Sequence, residues 1–326
     1  MTRVSLSEIS SPIKTELDKF NELFKVSMKS KVGLVDLIAR YIIRQKGKKI
    51  RPLLVLLSAK VAGGVNDRSY RGAVLVELLH TATLVHDDVV DNADKRRNFW
   101  SINKIFKNKA AVLMGDYLLS RGLMIAVEGK DYDFLGVITN TVKRMAEGEL
   151  LQIQKTRRLN IDEETYFKII SDKTASLLET CCEIGAMSAS DNSEYLNAMK
   201  QFGESIGIAF QIRDDILDYE GKTKLIGKPV GGDIKEKKIT LPLIYSLNRV
   251  SNGKASNIIK MIKNGHNKDS VNEIIEFVRT NDGINYALDK ANSYSEKAKE
   301  ALKVFSDSPS RIALEALVDF VIDRKN

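Results

Sequence analysis

The chain has 326 residues, of which 43% are hydrophobic and 29% charged, and its formal net charge is +8. It contains neither a run of eighteen apolar residues nor an apolar core in its first twenty, which predicts a soluble, cytosolic protein. The lysines are scattered, and basic runs, finger spacings and RNA-binding aromatic motifs are missing, which disfavours nucleic acid as a partner. The adjacent Cys181 and Cys182 make a poor disulfide and favour a reducing compartment.

The first part of the chain predicts helices joined by turns. Residues 1 to about 30 have the pattern of an amphipathic helix. Residues 47–52 predict a basic turn, and an apolar helix over 53–61 follows, ended by the glycines at 63–64. A second apolar helix is predicted from about residue 70 to residue 91.

The rest of the chain continues this helical pattern. The segment Asn160-Ile161-Asp162-Glu163 predicts a capped start for a helix that runs to residue 184, and a further helix is predicted over 194–219. The glycine-bearing connection 221–238 is long for a compact domain and predicts a functional lid. Residues 254–326 are helical and polar. All five prolines lie outside 53–227, which favours one all-α domain over residues 1–326.

The pattern D-D-x-x-D occurs twice in apolar, helix-patterned sequence, at 87–91 and at 214–218. Each occurrence places its first and fifth carboxylates one helical turn apart on the same face. Buried carboxylates are costly unless they are paired or bound to a metal ion. The two motifs therefore predict a cavity that holds hard divalent cations, with Mg²⁺ bridging a substrate phosphate.

Polar or small residues extend each motif along its helix. On the first helix His80, Thr83, Asp87 and Asp91 follow at steps of three or four within apolar surroundings. The second helix carries a corresponding stripe of Gly203, Gly207, Gln211, Asp214 and Asp218. We interpret the two stripes as facing walls of one internal cavity. The alternative is that both motifs are solvated, acidic helix ends.

Several basic residues suit an anion at this cavity. Arg96 and Arg97 follow the first motif, and Lys173 falls on the apolar stripe of its own helix, where it needs an anionic partner unless it reaches the surface. If each residue is considered alone, Lys48 and Arg51 are interpreted as solvated surface residues of a turn, and His80 is interpreted as a core histidine. Together these residues predict a clamp for a diphosphate above an apolar cavity, which suits ionisation of an allylic diphosphate.

These motifs resemble those of the trans-isoprenyl diphosphate synthases, especially the long-chain polyprenyl group. The likeness covers nearly the whole chain in motif order and is sharpest between residues 47 and 242. The matching segments are Glu77 to His80, His86 to Asp91 with Arg96 and Arg97, Lys173 to Ala175, Phe210 to Asp215, Gly227 to Pro229, and Thr240 to Pro242.

The resemblance implies an isoprenoid-synthase-type helical bundle around a central cavity, usually as a homodimer, with two or three Mg²⁺ ions in each site. It implies metal coordination by Asp87, Asp91 and Asp214, with support from Asp88 and Asp218. The residues implied for the allylic diphosphate are Arg96, Lys173, Gln211, Lys228 and Lys238, with Thr174 beside the reacting carbon. Those implied for isopentenyl diphosphate are Lys48, Arg51, His80 and Arg97.

Two segments depart from the family pattern. The basic turn reads Lys46-Gly47-Lys48-Lys49, where the family usually has two glycines and then Lys-Arg. Asn98-Phe99-Trp100 replaces a small, proline-containing stretch. Both departures bear on the fine geometry of the isopentenyl site and not on the reaction class.

Small residues below the first motif predict a long product. Thr83 and Ala82 lie four and five residues before Asp87, about 5.4 Å deeper along the helix, where small side chains leave room for a growing prenyl tail. By analogy with the family, the expected product is about C30 to C40. Leu79, Val76 and Met145 are candidates for the floor of the cavity.

Four other functions are compatible with parts of this sequence. A shorter-chain synthase differs only in product length, and a class I terpene cyclase shares the metal-binding aspartates but needs no isopentenyl site. A catalytically silent partner subunit and a nucleic-acid-binding helical protein are the alternatives from other classes. A hydrophobic product suggests peripheral membrane contact at its release.

Overall fold

The structure is a computed structural model of the chain, and it describes residues 4–45, 47–96, 99–220, 231–264 and 268–323. Nearly all of these residues are helical, which confirms the predicted all-α class. Within the described ranges the sheet structure is one antiparallel hairpin of β1 (Lys95–Arg96) and β2 (Phe99–Trp100). This hairpin follows the first aspartate motif and fixes Arg96 beside it.

Sixteen helices succeed one another through the described residues, most of them after short connections. They are α1 (Leu6–Ser10), α2 (Lys14–Ser27), α3 (Gly33–Arg44), α4 (Ile50–Ala62), α5 (Asp67–Val90), α6 (Ile102–Glu128), α7 (Tyr132–Arg158), α8 (Glu163–Ile170), α9 (Ser176–Ala189), α10 (Ser193–Glu220), α11 (Gly232–Lys235), α12 (Leu241–Asn248), α13 (Asn252–Asn264), α14 (Lys268–Thr280), α15 (Gly283–Ala301) and α16 (Pro309–Ile322). A π-helix (Ser171–Ala175) joins α8 to α9.

Side-chain caps fix several helix starts. The Asn66 side chain accepts the Ser69 N–H at 3.1 Å before α5. Asp162 Oδ1 accepts the Thr165 N–H at 2.7 Å before α8, as the sequence predicts. Each cap satisfies a backbone donor that the helix leaves unpaired and stabilises the helix by about 1 kcal/mol.

The early helices differ from the sequence expectation in two places. The segment predicted as one N-terminal helix is divided into α1, a 3-10 turn (Ser11–Ile13) and α2, with Pro12 in the turn. The helix predicted over 53–61 begins at Ile50, so Arg51 and Pro52 belong to its first turn. Proline is tolerated there because a first-turn N–H has no helical partner.

The later helices show one further difference. The stretch predicted as a single helix over 163–184 is interrupted by the π-helix, whereas the helix predicted over 194–219 is present as α10. The C-terminal third is helical, as expected. Of the connection predicted as a lid, residues 221–230 lie outside the described residues, and α11 occupies part of the remainder.

Two hydrophobic clusters meet along α10. The first contains Met199 and Phe202 from its N-terminal half, together with most of the buried side chains of α4, α5 and α9. The second contains Ile212 and Ile216 from its C-terminal half, packed with α12, α14 and α15. The second aspartate motif therefore lies on a helix that is held rigidly on several sides.

The glycines of the α10 stripe serve close packing and do not line a cavity, contrary to the sequence interpretation. A Cβ added at Gly203 would lie 2.6 Å from Glu179 Cα, and one at Gly207 would lie 2.6 Å from Ala175 Cα. Both positions therefore bring the α10 backbone against the backbone of α9 and the π-helix. Only the part of the stripe from Gln211 onward belongs to the candidate site.

Candidate active site

Asp87 and Asp91 stand at the C-terminal end of α5. The Asp91 N–H donates to the Asp87 carbonyl at 2.8 Å, and both side chains are exposed to solvent. Although the residue is exposed, nearby protein partly desolvates the carboxyl group of Asp87 and raises its pKa. Lys173 and Arg96 oppose this rise, and Glu149 and Asp91 add to it. An accessible carboxylate among other carboxylates is stabilised by a bound cation.

Asp88 faces a different neighbour from Asp87. Its side chain is 4% exposed and accepts a hydrogen bond from Arg96 Nε at 2.7 Å. One residue along a helix is a rotation of about 100°, so two adjacent aspartates face different surroundings. The resemblance implies a supporting role for Asp88 in metal binding, and the structure pairs its carboxylate with Arg96.

Four predicted basic ligands line one pocket of about 160 Å³ between the turn before α4 and the α5 helix. They are Lys48, Arg51, His80 and Arg96. Residues that are individually unremarkable in the sequence thus form one cationic site. The resemblance assigns Arg96 to the allylic diphosphate, whereas the structure places it in the same pocket as Lys48, Arg51 and His80. Arg97 lies outside the described residues.

Two further lysines line this pocket that sequence reasoning missed, Lys25 and Lys49. Lys49 has a left-handed backbone with φ 49° immediately before α4, and burial lowers the pKa of its ammonium group. Lys49 could have been predicted from the sequence, because it lies beside Lys48 in the basic turn. Lys25 could not have been, because it lies on α2, far from the motif in the chain.

The π-helix presents Lys173 and Thr174 to the site. Lys173 forms an ion pair with Glu149 of α7 and donates to Gln152 Oε1 at 3.2 Å, which supplies the anionic partner that the sequence predicts for it. Thr174 Oγ1 donates to Gln211 Oε1 of α10 at 3.0 Å. The π-helix therefore stands between the side of the site that carries Asp87 and the side that carries the second motif.

Gln211 is held by Asp215, a residue to which the sequence assigns no role. Gln211 Nε2 donates to Asp215 Oδ1 at 2.8 Å, and the Tyr166 hydroxyl donates to Asp215 Oδ2 at 2.7 Å. Burial, reinforced by the nearby Asp233, raises the pKa of Asp215 to about 8 despite these hydrogen bonds. This buried chain fixes which end of the Gln211 amide faces Thr174.

The second motif divides its carboxylates between solvent and protein. Asp214 is exposed, whereas Asp218 accepts the N–H groups of Gly232 at 2.9 Å and Asp233 at 3.0 Å at the start of α11. The predicted ligand Asp218 is therefore also the anchor of α11. Burial, together with Asp218, raises the pKa of Asp233 to about 6, and sequence reasoning missed Asp233 because no motif includes it.

Lys238 links the two acidic groups electrostatically. Burial opposes the charge of its ammonium group, but the ion pair with Glu236 and, to a smaller extent, the charges of Asp233 and Asp91 raise its pKa. On the other side of the site Lys173 is coupled to Asp87, while the adjoining Thr174 contacts α10. The two aspartate motifs, which we call the acidic walls of the site, are thus linked by one cation, Lys238, on which both Asp91 and Asp233 act. The predicted ligand Lys228 lies outside the described residues.

The donor set of the site suits Mg²⁺ in the presence of a phosphate. Asp87, Asp91 and Asp214 offer accessible oxygen ligands, the type that hard divalent cations prefer. Among the described residues no three histidine, cysteine or acidic side chains form a complete metal cluster. Mg²⁺ characteristically takes one or two carboxylates and fills its remaining positions with water and substrate phosphates, so these residues fit the ion.

The predicted chain-length residues lie deeper along α5. Ala82 is 2% exposed within the first hydrophobic cluster, and Thr83 is half-buried with its hydroxyl donating to the His80 carbonyl at 2.8 Å. Of the predicted floor residues, Val76 and Leu79 are buried in this cluster, and Met145 packs against it from α7. Small side chains therefore separate Asp87 from larger apolar ones.

Comparison with known proteins agrees with this geometry. The sequence model of the family described as polyprenyl synthetase matches residues 33–278. Octaprenyl diphosphate synthase of Haemophilus influenzae is 32% identical over 321 residues, covering 98% of each chain. A short chain isoprenyl diphosphate synthase of Methanothermobacter thermautotrophicus is 34% identical over 292 residues, covering 88% of this chain and 90% of the relative.

The solved structures show the same fold. A polyprenyl synthase from Caulobacter crescentus, crystallised with calcium and isoprenyl diphosphate, superposes with a TM-score of 0.91 at 33% identity over the whole of both chains. The family model covers residues 33–278, and the octaprenyl diphosphate synthase and the solved structure match nearly the full length. The chain belongs to the polyprenyl synthetase family, has the all-α isoprenoid synthase fold, and is a prenyltransferase.

Proposed function

We propose that this prenyltransferase is an all-trans long-chain polyprenyl diphosphate synthase, which condenses isopentenyl diphosphate with an allylic diphosphate primer. The observation that carries the proposal is the different surroundings of Asp87 and Asp88 at the end of α5. Asp88 and Arg96 belong to the basic pocket, whereas Asp87 interacts electrostatically with Lys173 on the π-helix. Two anion sites on either side of one helix turn suit a reaction that joins two diphosphates.

The allylic diphosphate would bind between the acidic walls. Asp87, Asp91 and Asp214 would hold Mg²⁺, which supplies positive charge to the departing diphosphate. Lys173 and Lys238 would exchange their carboxylate partners for phosphate oxygens and stabilise the charge that develops there.

Thr174 and Gln211 would lie beside the reacting carbon, in a fixed orientation set by Asp215. The apolar side chains below them would keep water from the allylic cation.

The basic pocket would hold the second substrate. Lys48, Arg51 and His80 would bind the diphosphate of isopentenyl diphosphate, with Arg96 at the boundary between the two sites. The double bond of this substrate would attack the allylic cation, and the released diphosphate would take the proton. A new carbon–carbon bond then replaces the broken carbon–oxygen bond, and the product is an allylic diphosphate one unit longer.

A direct assay tests this proposal. Purified protein is incubated with labelled isopentenyl diphosphate, a farnesyl or geranylgeranyl diphosphate primer and Mg²⁺, and the products are sized by chromatography. We expect a prenyl diphosphate ladder that requires both substrates. Hydrocarbon or alcohol formed from the primer alone would instead identify a cyclase, and complete inactivity with every primer would contradict the proposal.

The proposed product is about C30 to C40 long, by analogy with long-chain relatives. We expect that Ala82→Phe and Thr83→Phe will each shorten it towards C15 or C20, because an aromatic ring one turn below Asp87 blocks the path of the prenyl tail. Product sizing by chromatography measures this effect. Ala313→Phe is the control. Ala313 is a buried alanine on α16, so its enlargement should lower stability through overpacking and leave the product length unchanged.

An unchanged product distribution in both α5 variants would contradict the proposed path of the tail. If the wild-type protein itself releases C15 or C20 products, the shorter-chain alternative is correct. The similarity to a short chain synthase favours that alternative over the others.

We also propose that the protein acts as a homodimer through α6. This helix is long and apolar enough, by length and composition, to cross a membrane, yet only 33% of its most apolar window is buried in the single chain. Val112, Leu113, Met124 and Val127 are exposed at helical spacing on one face. Monomeric proteins rarely expose a contiguous apolar surface of this kind, and a second copy of the chain would cover it in a two-fold arrangement.

Replacing Leu113 by glutamate is expected to weaken the dimer by at least about 100-fold, because a two-fold interface would bury two unpaired charges. Sedimentation at decreasing protein concentration measures the dissociation constant. Ile312→Glu on α16 alters a side chain of similar exposure and should leave association unchanged. Equal behaviour of the two variants would contradict the assignment of the α6 face.

The proposed compartment is the cytosol, with peripheral membrane contact at product release. Cys181 and Cys182 are buried, and both are free thiols. Burial raises the pKa of the Cys182 thiol to about 12, so it is protonated and unreactive at neutral pH. Both residues therefore serve as small core side chains, as the sequence predicts.

A further inference from the structure

The π-helix that carries Lys173 and Thr174 is compressed between two helices. A Cβ added at Gly148 of α7 would lie 3.0 Å from both Asp172 Cβ and Lys173 N. On the opposite side, a Cβ added at Gly207 of α10 would lie 2.6 Å from Ala175 Cα. Two glycines therefore allow both neighbouring backbones to approach the π-helix closely, which restricts its sideways movement.

One arginine of α7 ties this segment together. Arg144 Nε donates to Asp172 Oδ1 at 3.0 Å, its NH2 group donates to Ser171 Oγ at 3.2 Å, and its NH1 group donates to Glu179 Oε2 at 2.7 Å. Ser171 and Asp172 are the first two residues of the π-helix, and Glu179 lies in the first turn of α9. A single planar guanidinium thus connects both ends of the irregular segment.

The network continues on both sides of Arg144. Lys168 of α8 pairs with Asp172 Oδ2 at 2.9 Å, and Ser171 Oγ donates to Glu204 of α10 at 3.0 Å. Asp172 is 8% exposed, and a buried carboxylate is destabilising unless cations compensate its charge. Arg144 and Lys168 supply that compensation. Because Lys168 is itself largely exposed, Arg144 is the more effective of the two cations.

This network matters because a π-turn holds one residue more than an α-turn. If the segment relaxed to regular α-helix, the side chains within it would rotate by about 100° relative to the helix that follows. Lys173 would then leave Glu149 and Gln152, and Thr174 would leave Gln211. The interactions that stabilise the irregular turn therefore also fix the orientation of Lys173 and Thr174, the two residues that face the allylic diphosphate.

We propose that Arg144 is a positioning residue: through Ser171, Asp172 and Glu179 it holds the π-helix in the form that directs Lys173 and Thr174 into the site. This inference rests on the proposed function. Arg144 does not touch the substrates and acts only through the residues that do. The basic pocket is built from other elements, so its affinity for isopentenyl diphosphate is independent of Arg144.

The test compares Arg144→Met with Arg71→Met. Arg71 also pairs with a buried carboxylate, Asp131, at 2.6 and 3.0 Å, but it lies on α5 sixteen residues before Asp87, about 24 Å along the helix. For Arg144→Met we expect kcat to fall by about 100-fold, the effect of a displacement of about 1 Å at the reacting groups. The dissociation constant for isopentenyl diphosphate should stay within about twofold of the wild type, since its ligands are unaffected.

Arg71→Met should lose comparable thermal stability and keep its kcat. If Arg144→Met retains kcat within about threefold of the wild type, or weakens isopentenyl diphosphate binding as much as it lowers kcat, the proposal is overturned. A wild-type protein without prenyl transfer would instead overturn the proposed function, so the two failures are distinguishable.

Milder variants keep the test informative if Arg144→Met does not fold. Ser171→Ala removes one hydrogen bond to Arg144, and Gly148→Ala presses a methyl group against Asp172 and Lys173. Each is expected to lower kcat by at least about fivefold at an unchanged dissociation constant for isopentenyl diphosphate. Wild-type kcat in both folded variants would overturn the role given to the π-helix.

Discussion

Replacing Asp87 or Asp214 by asparagine is expected to lower kcat by at least about 10³-fold, because metal-held charge on a leaving phosphate is worth several kcal/mol and each 1.4 kcal/mol is about tenfold in rate. Asparagine keeps the shape of the side chain and removes only its charge. The Mg²⁺ concentration needed for half-maximal activity should rise in both variants. Single-turnover rates over a Mg²⁺ titration measure both effects.

Asp94→Asn provides the matched control. Asp94 lies shortly after the first motif, is exposed, and pairs with Lys104 at 2.9 Å. A surface ion pair of this kind contributes about 1 kcal/mol at most, so its loss should leave the rate and the Mg²⁺ dependence unchanged. An Asp87 variant with the metal dependence of the wild type would exclude this carboxylate as a ligand.

The second large effect concerns the basic pocket. Arg51→Leu is expected to raise the KM for isopentenyl diphosphate by about 100-fold, because a guanidinium that binds phosphate oxygens through two hydrogen bonds contributes about 3 kcal/mol. The KM for the allylic primer should change little, since the proposed allylic site is formed by the π-helix and the acidic walls and not by the basic pocket. Initial rates with each substrate varied in turn separate the two constants.

Arg40→Met is the control for loss of one positive charge. Arg40 is exposed on α3 and pairs with Asp36 four residues earlier at 2.7 Å, away from the pocket. If Arg51→Leu raises both Michaelis constants equally, the pocket does not distinguish the substrates, and the assignment of the two sites is wrong.

The sequence predicts the main features of this protein well, and the reason is helical periodicity. A carboxylate spacing of four residues defines one face of a helix whatever lies around it, so the two aspartate motifs can be recognised from the chain alone. The same reasoning cannot separate Asp87 from Asp88. Their different surroundings depend on the hairpin that brings Arg96 to Asp88, and that contact is tertiary.

The π-helix marks a different limit of sequence analysis. Residues 163–184 have regular α-helical periodicity, and no local pattern indicates an extra residue at 171–175. The cause lies in other helices, in the close approach of Gly148 and Gly207 and in the side chain of Arg144. For the same reason the sequence interpretation of Gly207 is wrong: a small residue facing a cavity and one facing a backbone give the same sequence pattern.

In the proposed site, Lys173 is paired with Glu149 before any substrate binds. Binding a phosphate there is an exchange of counter-ions, and the incoming group must outcompete a carboxylate that the protein itself supplies. A prenyl monophosphate carries less charge for this competition than a diphosphate does. The enzyme is therefore expected to discriminate against prenyl monophosphates without a steric barrier, because Glu149 competes with them for Lys173.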